Sequence, residues 1–450
     1  MLLATTAVVL AAATARPPTL LLAPCDVQGL PAGCGTLLVP EDRNRPGGRR
    51  IGLHVVVLPA RRRPAAADAF TYLEGGPGGA ATEETYTLAT TFAGVREHRD
   101  IVLVDQRGTG RSHPLDCPRP AAPPTTAARL RSYFRSCMRS APGDMSLYGT
   151  RAAMDDLEAV RQALGYAQLD VFGASYGATA AQVFLRRHRS SVRTLILDGG
   201  TLLDLPLYRR FAANAERALA SVARRCAASP ACARAYPRWR SVLAALVRRW
   251  NAAPVHRTAA ATISGDELAG VVQRMLLDAE TAAAIPFVVS RAAAGDYAPL
   301  NEQVEPGDFT RQLMFWSVWC NEPWVGLDER GPWHTIFDGY VAASLDRYRR
   351  TCALLPRRPE PASAWVVPRT LVPMLALVGG ADPQDPRGNL PRLRQTFPNG
   401  RAIVVPGFGH GVDTAGCLES LVPIFVDGAD AQALDTRCVR SIRPPPFRLP

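Results

Sequence analysis

Residues 169–179 read LDVFGASYGAT, and no other stretch constrains the fold as tightly. The apolar approach ending at Phe172 has the pattern of a strand, and the alanine-rich run after Gly177 has the pattern of a helix. A chain that passes from strand to helix in so few residues must turn sharply. Such a turn presses backbone atoms together and leaves no room for side chains on its flanks. Gly173 and Gly177 meet that need, and Ser175 stands between them in a G-x-S-x-G motif. A serine held there is lifted off the sheet edge. The N–H of Tyr176, at the helix start, then faces any oxyanion that forms beside it. Ser175 is the expected nucleophile. A close-packing turn with an incidental serine would use the same letters, so the rest of the chain must supply a base and an acid.

The chain around this turn alternates. Thr36–Val39 and Ile51–Leu58 are β-branched and apolar, with the turn-rich EDRNRPGG between them, and read as an antiparallel hairpin. Ala69–Leu73 and Ile101–Val104 read as strands, the first ending in EGGPGG and the second in DQRGTGRS. Met154, Leu157, Val160 and Leu164 recur at helical spacing over 151–164, with Thr150 as N-cap and Gly165 as stop. A helix to about His188 and a strand over Thr194–Leu197 follow the serine turn. Strands alternating with helices imply a parallel sheet covered on both faces. From about 201 to 365 the alternation gives way to helical patterns and proline-bearing loops that hold all seven tryptophans. Strand patterns return at Val372–Val378 and Ala402–Val405. The expected organisation is a core over 16–200 and 366–450 with a helical insertion over 201–365.

A serine hydroxyl is inert without a base. His410 lies in GFGHG directly after a strand, where small neighbours let another group approach. Asp382 lies in VGGAD after another strand and is the expected orienting acid, with Asp385 a nearby rival and Asp413 a poorer one. Serine, acid and histidine in that chain order match the α/β-hydrolase arrangement. The second oxyanion donor is expected from the glycine loop after Ala69–Leu73. Gly76, held by Pro77, is the best single choice.

The net charge is +12, and every basic residue is arginine. The arginines are scattered in runs no longer than Arg61-Arg62-Arg63, unlike the patch of a nucleic-acid binder. Codon usage of a GC-rich genome accounts for this bias, and a basic face for acidic partners is the other reading. Ten cysteines form an even set with no C-x-x-C pair, which argues against zinc and redox motifs. Residues 1–15, MLLATTAVVLAAATA, read as a signal h-region with an A-x-A cleavage site, though without a positive n-region. Export and paired cysteines together imply disulfides in an oxidising compartment, secreted or periplasmic. Ten cysteines allow many connectivities, and pairing in sequence order would close five local loops. No apolar run is long enough to span a membrane.

GGPGG at 75–79, DQRGTGRS at 105–112, GASYG at 173–177, GGADP at 379–383 and GFGHG at 407–411 together resemble the prolyl iminopeptidase and secreted tripeptidyl aminopeptidase family of α/β-hydrolases. The resemblance covers about 33–200 and 370–440. It implies an α/β-hydrolase fold with an inserted helical cap and no cofactor. It also implies a Ser175–Asp382–His410 triad with Tyr176 and Gly76 as oxyanion donors. Many relatives carry histidine before the glycine loop, where this chain has Glu74, which puts an acid near the site and makes it a further substrate-binding candidate. Relatives that clip N-terminal residues hold the substrate ammonium with cap carboxylates. Trp319-Cys320-Asn321-Glu322 looks similar to that element. The resemblance therefore implies Glu322 at the ammonium, with Trp316 or Trp319 walling an apolar subsite. A solvated Glu322 and tryptophans in the cap core are the other reading. Asp105 and Arg107 are expected to form a turn-stabilising ion pair. The expected activity is a secreted serine aminopeptidase acting on a peptide or small acyl substrate. A carboxylesterase or small-molecule acyl hydrolase with the same triad, or an inactive binding module, are the alternatives.

Overall fold

The computed structural model describes residues 20–450 except 119, 121–125, 201, 260, 305–312 and 386. The leader-like segment 1–15 lies outside the described residues. Nine strands form one sheet: β1 (Ala23–Val27), β2 (Leu30–Pro40), β3 (Arg50–Leu58), β4 (Ala69–Leu73), β5 (Ile101–Val104), β6 (Leu169–Ala174), β7 (Val192–Asp198), β10 (Met374–Gly379) and β11 (Arg401–Val405). Two short strands, β8 (Val255–Thr258) and β9 (Ala261–Ile263), form a separate hairpin. The order across the large sheet is β1-β2-β3-β5-β4-β6-β7-β10-β11. The first three strands pair antiparallel, and β3 also runs antiparallel to β5. Every pairing from β5 to β11 is parallel.

Parallel strands must be buried on both faces, because their crossovers lay helices over each side. All residues of β4, β5 and β10 are buried. On one face the helices Thr150–Leu164 and Tyr176–Arg187 pack Leu157, Val160 and Phe184 with Val171 and Leu195. On the other, Leu88, Val422 and Phe425 join Phe70, Phe172 and Ile196. An aromatic nest of Phe70, Phe92 and Phe172 has centroids 5.0–6.3 Å apart.

The hairpin expected over 36–58 is β2 and β3, with Thr36 opposite His54. The helix expected over 151–164 starts one residue earlier, with Gly149 as its N-cap and Gly165 closing it at φ 80°. Thr150 is thus inside the helix. Its N–H and hydroxyl both go to Glu322, 172 residues away. A single-segment reading has no means of finding a cap supplied from that distance.

Between β7 and β10 the chain leaves the sheet for the helices Phe211–Ala228, Trp239–Ala252, Gly265–Met275, Ala279–Ala293, Leu313–Asn321 and Asp338–Cys352. Five disulfides join Cys25–Cys34, Cys117–Cys137, Cys226–Cys232, Cys320–Cys352 and Cys417–Cys438, each to its next neighbour in the chain. No described helix is long and apolar enough to cross a membrane.

Candidate active site

Ser175 ends the strand–helix turn at φ 54° and ψ −120°, a conformation that costs a non-glycine residue energy. Its flanks show why glycine is needed. A Cβ on Gly173 would stand 2.2 Å from the Gly177 carbonyl oxygen, and a Cβ on Gly177 would stand 1.8 Å from that of Leu73. Neither contact is survivable, so a side chain at either position would open the turn.

His410 comes from the loop after β11 and Asp382 from the loop after β10. The two loops touch so closely that a Cβ on Gly379 would meet the Gly409 carbonyl oxygen at 1.6 Å. His410 Nε2 lies 2.9 Å from Ser175 Oγ, and Nδ1 lies 2.9 Å from Asp382 Oδ2. Asp382 is buried, and its Oδ1 accepts the N–H groups of Gln384 and Asp385 at 2.7 and 3.0 Å. Both oxygens are therefore committed, one to the backbone and one to the imidazole. Burial works against a charged His410. The charge and hydrogen bond of Asp382, with Asp198 and Asp385 behind it, outweigh that and push its pKa up to about 9. Burial, then the Asp382 charge, push Asp385 up to about 8, so it is a protonated neighbour near neutral pH.

Gly75 lies against Ser175, where an added Cβ would come within 3.2 Å of the serine Cβ. Gly76 follows at φ 115° on the exposed side of the loop. The N–H groups of Gly76 and Tyr176 have no acceptor among the described residues. The Tyr176 side chain is buried, 2.8 Å from the Thr150 hydroxyl and donating to Gln106 at 3.3 Å.

Glu74 folds back over the glycine loop. Its Oε1 accepts the Gly75 N–H at 2.8 Å, and Oε2 has no partner among the described residues. Burial, then the neighbouring acids Glu84 and Asp413, raise its pKa. Glu322 stands elsewhere. It is buried, and it accepts the Thr150 N–H at 2.7 Å and the Thr150 hydroxyl and Trp324 indole at 2.8 Å each. Burial outweighs these donors and pushes its pKa up to about 8. Both its oxygens accept from protein groups, so here it joins the insertion to the helix Thr150–Leu164. Trp319 stacks on Phe315 at 4.7 Å, and Trp316 meets Phe134 edge-on at 5.5 Å. Both tryptophans pack with Tyr348 inside the insertion.

The Asp105–Arg107 pair expected from the sequence is not formed. Asp105 gathers the Thr82 N–H and hydroxyl and the Arg111 N–H. Arg107 binds Asp156 with two hydrogen bonds, at 2.7 and 2.8 Å, beneath the sheet edge. The chain leaves β5 at Val104 and turns at Arg107, so the two side chains are not held on one strand face and each has its own partner.

The sequence reading also passed over Asp198, at the end of β7. Its carbonyl accepts the Ser175 N–H at 2.7 Å. Its carboxylate accepts the N–H groups of Val412 and Asp413 at 2.9–3.0 Å, just past His410. One residue thus ties the serine turn to the histidine loop. An acidic residue closing the apolar run LILD was the available signal.

The sequence pattern of the alpha/beta hydrolase fold family matches residues 69–412, and the chain belongs to that family. Within it, the chain is 27% identical over 188 residues to the tripeptidyl aminopeptidase of Streptomyces coelicolor, covering 37% of this chain and 35% of that one. It is 30% identical over 194 residues to the serine protease Hip1 of Mycobacterium tuberculosis, covering 38% and 36%. It is 30% identical over 224 residues to carboxylesterase B of the same species, covering 45% and 43%. Each match therefore spans less than half of the relative's length.

Proposed function

We propose that this protein is a serine hydrolase working by acyl transfer, and that its substrates are peptides with a free N-terminus. One observation carries the first part: Ser175 Oγ, His410 and Asp382 form an unbroken hydrogen-bonded line, 2.9 Å at each link. His410 takes the proton of Ser175, whose oxygen attacks the carbonyl carbon. Asp382 holds the imidazole with Nε2 toward the serine and stabilises it once charged. The Tyr176 and Gly76 N–H groups receive the oxyanion. His410 passes the proton to the leaving nitrogen as the C–N bond breaks. Water then cleaves the acyl-serine, giving its hydroxyl to the acyl group and its proton back through His410.

The names of the aminopeptidase and protease relatives support the peptide reading. The ammonium contact is assigned to Glu74. Of the two acids nominated by the sequence, it is the one with an oxygen unpaired among the described residues, on the loop that touches Ser175. The five disulfides support an oxidising compartment, outside the cytoplasm.

A panel of free-amine aminoacyl and tripeptidyl anilides, their N-blocked versions and short acyl esters tests this, with Ser175→Ala as control. Cleavage confined to free-amine anilides supports the aminopeptidase. Equal use of blocked substrates, or ester cleavage alone, replaces it with the esterase reading that the carboxylesterase relative favours. Failure of Ser175 to react with a fluorophosphonate would make the protein a binding module.

A further inference from the structure

A cleft of about 440 Å³ opens beside His410. Three pieces of chain wall it: Leu277–Glu280 from the insertion, Phe408–Val412 and Thr414–Gly416 from the histidine loop, and Ile442, Arg443 and Pro445 from the C-terminal tail. These walls are tied together. The Leu277 carbonyl accepts the His410 N–H at 2.6 Å. Arg225, on the insertion, donates to the carbonyls of both Gly407 and Pro445 at 3.2 Å. Asp278 is occupied, capping the helix Ala279–Ala293 through the N–H groups of Glu280 and Thr281. Glu280 is exposed, and its carboxylate has no partner among the described residues. Arg443 faces from the tail wall, its Nη1 donating to the carbonyls of Arg440 and Ile442.

Chemistry says which part of a substrate belongs there. The proton that leaves Ser175 Oγ for His410 Nε2 goes next to the departing nitrogen, so that nitrogen must lie within hydrogen-bond reach of the imidazole. The acyl portion stays with Ser175 and the Gly76–Tyr176 donors. The departing portion extends past the imidazole, and His410 itself lines the cleft. Its volume falls within the range of small-ligand sites.

We propose that this cleft is the subsite for the leaving segment of a peptide substrate, the first residues on the carboxyl side of the cleaved bond, with Glu280 favouring a cationic side chain. The proposal rests on the acyl-transfer reading above. It requires no bond changes beyond those already given.

The test uses the full chain, Thr414→Trp and Glu280→Arg. Thr414 is exposed on the cleft wall, and neither residue belongs to the reacting set. Substrates share one free-amine acyl part and differ in the leaving group: an anilide, one residue, or three residues with arginine or glutamate in the middle. Lengthening from one residue to three should raise kcat/KM at least about tenfold. Thr414→Trp should erase that gain while anilide turnover and the melting temperature hold. Glu280→Arg should reverse an arginine preference of about two- to fivefold. A rate indifferent to length, or a gain that survives Thr414→Trp, overturns the proposal. If esters are cleaved and no peptide or anilide is, the peptide reading itself has failed. The cleft is then judged on esters of one acid with alcohols of growing length: a gain erased by Thr414→Trp supports a leaving-group subsite, and no gain overturns it.

Discussion

Replacing Asp382 by asparagine should disable the enzyme while leaving it folded. Oδ1 of Asp382 accepts two backbone N–H groups, and Oδ2 faces His410 Nδ1. An asparagine amide has one acceptor end and one donor end. Turning its nitrogen toward Gln384 and Asp385 would set it against two donors. Its oxygen therefore takes their N–H groups, and its nitrogen points at His410. Nδ1 must then accept, which places the imidazole proton on Nε2, facing Ser175 Oγ. That tautomer cannot take the serine proton. A wrongly held tautomer costs about 10⁴-fold in kcat in other triad enzymes, or roughly 5 kcal/mol at 1.36 kcal/mol per tenfold. The assay is kcat/KM on a free-amine anilide beside the fluorophosphonate labelling rate, with thermal unfolding to verify the fold. The control is Asp385→Asn. The Asp385 carboxyl, pushed up to about 8 by burial and by Asp382, is already uncharged at pH 7, so its loss should cost less than about tenfold. An Asp382→Asn enzyme within tenfold of wild type would refute the reasoning, and an inactive Asp385→Asn would move the acid's role to that residue.

The raised pKa of His410, up to about 9, favours its charged form, whereas the base must be neutral. The acid limb of kcat/KM should therefore have its midpoint above the ordinary histidine value of about 6.5 and rise about tenfold per pH unit below it. A midpoint at or below 6.5 contradicts this. Stability from the His410–Asp382 pair should be complete below about pH 6.5 and fade as pH climbs through about 9, measured by denaturant unfolding across that window. Glu74→Gln should raise KM for free-amine substrates toward that of blocked ones, with ester turnover held. Glu322→Gln should keep the free-amine preference but lower stability by about 1–3 kcal/mol, because one amide end must face a buried donor. Arg107→Ala should cost about 1–3 kcal/mol in a melt or denaturant titration, since it takes two hydrogen bonds from the buried Asp156 and leaves it Arg43 alone.

The strands of the parallel sheet were legible because their side chains are buried on both faces, so the apolar runs 101–104 and 374–378 stand out without alternation. The Ser175–His410–Asp382 arrangement was legible because each residue follows a strand pattern within a short loop, and a strand end is where a parallel sheet presents side chains for chemistry. What stayed hidden depends on distant partners. Thr150 looked like a cap by local grammar, yet its acceptor comes from Glu322. Glu322 looked available for a ligand because nothing near it in sequence announces the three donors that surround it. Arg107 beside Asp105 looked like a pair, and only packing brings Asp156 underneath. Asp198 carries no motif at all, and its importance lies in binding a loop 214 residues further along the chain.

The chain-order pairing of the cysteines has a consequence for biogenesis. Each disulfide closes before the next begins, at separations of 9, 20, 6, 32 and 21 residues. If the chain is delivered to an oxidising compartment amino end first, and each pair closes as it emerges, the thiols open at any moment are native partners. By the time Cys117 arrives, Cys34 has already been claimed by Cys25. Under that condition synthesis order selects one connectivity from the hundreds that ten thiols permit. A full-length reduced chain loses that protection, so oxidative refolding from denaturant should scramble where vectorial delivery does not, and should call on thiol exchange to recover.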